Sequence, residues 1–212
     1  SYRTSQMADV DAAVLAIIDQ QKRVLICKRA DHLRTHPGEA CLPGGKREEG
    51  DATIVDTALR ESHEEIGLPP SKIAVQYELG CISSLAGIWV HPIVGTVADE
   101  PELSINTDEV AIAEWIPLEA FLKNEYHWNK LYGAYNVHGF DLPQLHVFGL
   151  TANICILVAI RELKMRPEFD LNPEMTTEIM RNMEPEEILD RFYAYYYENV
   201  RPAKESREAA KI

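Results

Sequence analysis

Short apolar runs alternate with polar turns at the start of the chain, and further along the period lengthens. Residues 12–18 (AAVLAII) and 24–29 (VLICKR) are apolar blocks of strand length on either side of Asp19-Gln20-Gln21-Lys22, which predicts a β-hairpin. Beyond Thr53 the spacing becomes helical: Val55, Leu59, Ser62 and Ile66 share one face, and Gly67 before Pro69-Pro70 supplies the stop. Residues 73–79 alternate and predict a strand, and 82–87 (ISSLAG) predict a loop. Residues 88–97 predict a strand whose Pro92 cannot donate to a ladder, hence an edge or a bulge. A strand over 111–116, a short helix over 119–124 and an apolar core helix over 154–163 follow. Residues 126–142 hold Tyr126, Trp128, Tyr132, Tyr135 and Phe140 as an aromatic-rich connection, for which core packing is the commoner use and stacking on a ligand ring the other. In residues 188–200, Leu189, Phe192, Tyr193, Tyr196 and Tyr197 form an amphipathic spacing suited to docking on the domain or on a homodimer partner.

This pattern gives an N-terminal arm (1–11), one mixed α and β domain (12–166) and a C-terminal helical extension (167–212). A chain of 212 residues can bury a sizeable core as one domain. No apolar run approaches the roughly 20 residues that span a bilayer. The net charge of −13 repels polyphosphate backbones and anionic membranes, which argues against nucleic acid as the partner. A small anion remains compatible because cations are concentrated locally, at Lys22, Arg23, Lys28, Arg29, Arg34, Lys46 and Arg47. Cys27, Cys41, Cys81 and Cys155 are too scattered for a zinc cluster, and reduced intracellular thiols are the expectation.

The helix after Thr53 carries its acids at the wrong end. Glu61, Glu64 and Glu65 sit one turn apart, displaced from the apolar stripe, where like charges and the helix dipole each cost about a few tenths of a kcal/mol. Helix stability does not ask for this arrangement. A solvated acidic face is the plain alternative. A divalent cation with oxygen ligands would convert the repulsion to attraction and bridge carboxylates to a substrate phosphate. The preceding Gly44 and Gly45 favour that reading, since backbone there can approach a ligand and offer a carbonyl. Arg29, His32, Arg34 and His36 lead into the segment, and an arginine fork suits phosphate.

Gly45, Arg60, Glu61, Ser62, Glu64, Glu65, Gly67 and Leu68 resemble the Nudix box, in which G, five residues, E and seven residues precede R-E-U-x-E-E-x-G-U, U being aliphatic. Asp51 stands where glutamate is usual, eight residues precede Arg60, and Ser62 replaces the aliphatic. Leu25, Arg29, Arg34, Gly38, Leu42-Pro43-Gly44-Gly45-Lys46 and Phe148-Gly149-Leu150-Thr151-Ala152 are similar to the coenzyme A diphosphatase branch, where the longer spacing is usual.

The resemblance implies an α/β/α Nudix sandwich with a mixed β-sheet between helices, and hydrolysis of a diphosphate linkage in coenzyme A or its thioesters. The products would be adenosine 3′,5′-bisphosphate and 4′-phosphopantetheine. It implies Mg²⁺ or Mn²⁺ on Glu61, Glu64 and Glu65, with the Gly45 carbonyl and Glu109 joining and Glu114 as second choice. Catalysis falls to Glu61, Glu64 and Glu65 without assigning the base, and substrate binding to Arg29, Arg34, His36 and Lys46. Arg60 would orient the acids. His91 could act as a base, although a packed histidine is the commoner case. Other Nudix substrates, ADP-ribose or NADH, and a silent nucleotide-binding domain are the alternatives. Ala210-Lys211-Ile212 has the small, basic, aliphatic character of an S-K-L address, so a peroxisomal location is expected, with cytoplasm or mitochondrion as alternatives.

Overall fold

The computed structural model describes residues 11–84 and 87–200. The arm up to residue 10 and Ala210-Lys211-Ile212 lie outside the described residues. Strands β1 (Asp11–Ile18) and β2 (Arg23–Arg29) form the expected hairpin, with Ile18 opposite Val24. Beyond that pair the two strands part. Strands β3 (Ala40–Cys41) and β4 (Gly44–Lys46) fill the fork, β3 pairing with β2 and β4 with β1. After helix α1 (Ile54–Ile66) come β5 (Ala74–Glu78), β6 (Ile82–Ser83), β7 (Trp89–Thr96) and β8 (Val110–Pro117). β7 runs parallel to β1, β5 and β6 run antiparallel to β7, and β8 runs antiparallel to β2, which completes a mixed eight-stranded sheet.

Both faces of this sheet are covered, so its strands read as continuous apolar runs. Ala13, Leu15, Ile17, Leu25 and Cys27 face α1 and meet Ala58, Ile66 and Leu68. Ala16, Ile18, Val24 and Ile26 face helix α2 (Gly149–Leu163), whose buried residues run from Ala152 to Ile160. The architecture is therefore an α/β/α sandwich of the Nudix type. The short helices α3 (Thr177–Met180) and α4 (Pro185–Tyr195), the latter continued by a π turn over Tyr196–Val200, join the α2-side core through Met180, Ile188, Phe192 and Tyr196. Tyr196 Oη accepts from Ser83 N at 2.8 Å and Tyr197 Oη donates to Cys81 O at 2.7 Å. The amphipathic face of the extension thus docks on the domain.

Several local expectations differ from the structure. Pro92 lies inside β7, not at an edge: opposite Val14 on one side, and on the other its carbonyl accepts from Leu79 N at 2.9 Å. Its missing N–H faces the same side, at the gap between β5 and β6, where no ladder donor is needed. Ile82–Ser83 is a short strand rather than loop. The helix expected over 119–124 is a 3₁₀ turn, Leu118–Leu122. The aromatic connection is a second antiparallel sheet, β9 (His127–Tyr132), β10 (Tyr135–Asp141) and β11 (His146–Phe148). Gly133, at φ 62°, allows the two-residue turn with Ala134 that joins β9 to β10.

A histidine chain ties this second sheet to the C-terminal segment. His138 lies 2.9 Å from Leu171 O through Nε2 and 2.9 Å from His127 Nε2 through Nδ1, and the His127 ring stacks on Phe169 at 3.6 Å. Burial lowers both imidazoles to about 4, so the pair is neutral in the fold. The stabilising difference is fully present above the ordinary histidine value near 6.5 and is lost as pH falls towards 4, by up to about 3 kcal/mol for the buried His138 and by less for the half-buried His127. The urea midpoint is expected to fall between pH 6.5 and 4, and His138→Gln should flatten that fall. A midpoint independent of pH over this range would contradict it.

Candidate active site

The site forms where the β3–β4 segment meets the C-terminal half of α1. Thr53 caps α1 in a reciprocal capping box with Asp56, and Gly67 ends it. Gly45 lies opposite Ala13 on β1, with the Glu61 carboxylate directly against it. A Cβ at residue 45 would lie 2.3 Å from Glu61 Oε1, so only glycine admits the carboxylate there. Glu65 Oε2 accepts from Gly44 N at 3.1 Å.

The three glutamates are not equivalent. The buried face of α1 carries Thr57, Ala58, Ser62, Glu65 and Ile66, whereas Val55 and Leu59 are only half-buried. Glu65 is 3% exposed and belongs to that face, rather than being displaced from it. Ser62 fits a buried helix position because its hydroxyl donates to Ala58 O at 2.8 Å. Burial raises the Glu65 carboxyl to about 7, with the Glu61 and Glu109 charges adding to it and the Gly44 N–H and Arg29 opposing. Glu61 is also raised, first by burial, against the pull of Arg60 at 3.1 Å. Glu64 is exposed and ion-paired to Arg60 at 3.2 Å.

Glu109 arrives by a turn that caps α1. Ser104 N donates to Ile66 O and Asn106 N to Glu65 O, both at 2.9 Å, which satisfies carbonyls left open at the helix end. Asn106 Nδ2 then holds Glu109 Oε1 at 3.3 Å, while Glu109 O accepts from Ala30 N at 2.9 Å. Glu109 consequently acts electrostatically on both Glu61 and Glu65. Glu114 does not reach this site: it lies opposite Ile26, whose side chain belongs to the α2-side core.

Arg60 organises the approach to the acids. Its fork grips Asp51 through Nε–Oδ1 at 2.9 Å and Nη2–Oδ2 at 3.0 Å, and Nη2 also donates to Lys46 O at 3.1 Å. Asp51 further accepts from Thr57 Oγ1 and Glu48 N, both at 2.9 Å. Arg60 holds the Asp51 carboxyl well below the usual range. Asp51 therefore clamps the loop before α1. Thr57 and Asn106 were not singled out from the sequence. The N-x-x-E spacing contained the signal for Asn106, whereas nothing local marks Thr57.

The expected substrate-binding residues are only partly gathered. Arg29 lies by the site, acting on Glu65 and bonding the Cys41 sulfur, while Nε donates to Thr35 O at 3.3 Å. Arg34 is exposed on the loop after β2 and forms no hydrogen bond or ion pair with another described residue. His36 is exposed on that loop and paired with Glu39 at 2.9 Å. Lys46 lies opposite Ala12, an α2-side core residue, so register turns its side chain away from the acids. His91 is engaged by Glu78 at 2.7 Å and Asp11 at 3.5 Å.

Among the described residues no group of three or more His, Cys, Asp or Glu side chains is already arranged to hold a metal ion. The donor chemistry nevertheless fits a hard cation: carboxylate oxygens, a glycine-lined approach, and an acid, Glu65, that burial raises and the neighbouring Glu61 and Glu109 charges raise further.

Comparison with known proteins places this geometry. The NUDIX domain matches residues 7–135. The chain is 33% identical over 202 residues to the peroxisomal coenzyme A diphosphatase ndx-8 of Caenorhabditis elegans, covering 91% of this chain and 86% of that protein. It is 37% identical over 149 residues to the Nudix hydrolase NudL of Yersinia enterocolitica, covering 68% and 76%. In fold it is similar to the crystal structure of a MutT protein from Methanosarcina mazei, at a TM-score of 0.52 and 19% identity, covering 76% of this chain and all of that one. A matched domain spanning well over half the chain, with the acids and Gly45 of the box brought together, shows that this protein belongs to the Nudix hydrolases.

Proposed function

We propose that the protein hydrolyses the diphosphate linkage of coenzyme A and its thioesters, with Mg²⁺ or Mn²⁺, to adenosine 3′,5′-bisphosphate and 4′-phosphopantetheine. The observation that carries the chemistry is the buried Glu65, with Glu61 against Gly45 and Glu109 within electrostatic reach. Similarity to the coenzyme A diphosphatase over 91% of the chain supports the substrate.

Glu61, Glu65 and Glu109 would hold the ion with the Gly45 carbonyl, and Glu64 would close the site from its solvent side. When bound, such an ion neutralises diphosphate charge and acidifies water at the reacting phosphorus. Arg60 and the Gly44 N–H fix the carboxylates before substrate arrives, and a carboxylate not engaged as ligand takes the water's proton. Arg29 and Arg34 grip phosphates, including the 3′-phosphate, with His36 at the rim. The similarity to a protein named peroxisomal supports a peroxisomal location.

Arg34→Ala is expected to raise KM for coenzyme A about tenfold, the size of one charge-assisted hydrogen bond, with kcat little changed. ADP-ribose, lacking the 3′-phosphate, should show a smaller change. Equal changes for both substrates would remove Arg34 from 3′-phosphate recognition. Preference for ADP-ribose by the unmodified protein would overturn the coenzyme A assignment while leaving the hydrolase chemistry.

A further inference from the structure

The outer face of the second sheet carries three aromatic rings outside the core. Trp128 on β9 shares a row with Gly139 on β10 and Phe148 on β11, and Asp141 and His146 form a further row of the same face. Gly139 leaves room for the indole to lie across β10: a Cβ there would fall 2.2 Å from the Trp128 ring. Trp128 Nε1 donates to Asp141 Oδ1 at 3.0 Å, and the same carboxylate pairs with His146, which fixes the orientation of both rings. The His146 ring lies 6.0 Å from that of Trp128 at 22°, and 5.5 Å from that of Phe148, so the three form one aromatic strip across the sheet. The strip is open to solvent: Phe148 is 37% exposed and the His146 side chain 57%.

Strand alternation places the strip relative to the acids. β11 lies beside β3, where Thr151 Oγ1 donates to Ala40 O at 3.3 Å. Val147 and Ala40 both enter the α2-side core. Alternation therefore turns His146 and Phe148 to the opposite side, the side on which Cys41 meets the α1-side core. Arg29 is on that side too, bonding the Cys41 sulfur and acting on Glu65, so it spans the gap from the acids to β3.

We propose that Trp128, His146 and Phe148 form the seat for the adenine ring of the substrate. The assignment rests on the hydrolase reading above and places the nucleotide half of that substrate. A strip of exposed ring faces suits a planar base, which stacks on aromatic side chains, whereas an acyl chain gains from enclosure. The 3′-phosphate that Arg29 and Arg34 would grip is carried on the ribose of that same base. Phosphate and base contacts thus fall on one half of the substrate, on either side of β3.

The test is calorimetric binding of adenosine 3′,5′-bisphosphate, AMP and 4′-phosphopantetheine to the full chain in Mg²⁺. None of the three carries a diphosphate linkage, so binding is read without turnover. Trp128→Ala and Phe148→Ala are each expected to weaken both adenine nucleotides about tenfold, the size of one base stack, and to leave 4′-phosphopantetheine unchanged. Gly139→Ala removes no ring but lifts the indole from the sheet, and should act like Trp128→Ala. Trp128→Phe should recover most of the affinity. For coenzyme A the alanine variants should raise KM with kcat little changed. No binding of either adenine nucleotide by the unmodified chain, unchanged affinity in both alanine variants, or an equal loss for 4′-phosphopantetheine would each overturn the proposal. AMP is common to coenzyme A and ADP-ribose, so a wrong choice between those substrates leaves its result standing. Coenzyme A hydrolysis with unchanged KM in the variants would remove the seat and keep the hydrolase.

Discussion

Replacing Glu65 with glutamine is expected to lower kcat by about 10²–10⁴-fold, because it removes a carboxylate that would hold the ion acidifying the attacking water, a loss comparable to that of a proton-transfer group. The same substitution should stabilise the protein in chelator at neutral pH. Burial raises the Glu65 carboxyl from 4.5 to about 7. A carboxyl raised by folding binds its proton more tightly in the native state, so chelated protein loses stability as pH rises from 4.5 through 7, by up to about 3 kcal/mol. Glutamine keeps an oxygen for the Gly44 N–H and removes the charge, so the slope over that window should disappear. Added Mg²⁺ or Mn²⁺ should stabilise the unmodified protein most above pH 7 and Glu65→Gln least. Glu61→Gln should show the same loss of rate with a weaker pH effect, because Glu61 is less buried and already paired with Arg60. Near-normal rates in both variants would sink the assignment of the acids.

Arg60→Ala should be the most destabilising substitution near the site, at about 3–5 kcal/mol, because it leaves a buried partner charge uncompensated. That charge is Asp51, 6% exposed and held by both arms of the Arg60 fork. Asp51 is depressed in the fold, so its contribution is present above the ordinary aspartate value and is lost as pH falls through that value towards its native one. Arg60→Ala should therefore weaken the protein at pH 7 and leave its stability less sensitive to acid. Arg60→Lys should recover only part, since a point charge cannot reproduce the two-armed grip. Urea denaturation in chelator separates this effect from metal binding, and a loss below about 1 kcal/mol would show that Asp51 finds another partner.

What the sequence disclosed of this site followed from how local each feature is. The α1 helix, its stop at Gly67, and the relation of Gly45 to the acids were legible because they depend on spacing within one segment. Glu65 was misjudged for the opposite reason. Of the expected stripe, Ser62 and Ile66 are buried, but packing on β1 turns the helix so that Thr57, Ala58 and Glu65 join them while Val55 and Leu59 are only half-buried, and a sequence does not show that rotation. Lys46 looked like part of the cationic approach, yet the register of β4 against β1 turns its side chain to the other face. Asp51 sits at a box position usually held by glutamate, and only the fold reveals the fork that Arg60 closes on it. The second sheet was hidden because an aromatic-rich run does not separate strand from connection, although Gly133 marked the turn.

The most direct test of the central claim is release of adenosine 3′,5′-bisphosphate from coenzyme A by the purified chain, compared in Mg²⁺, in Mn²⁺ and in chelator. The account predicts release with either metal and its loss in chelator, restored when metal is returned. Release that persists in chelator, or no release with either metal while the protein is folded, would contradict it.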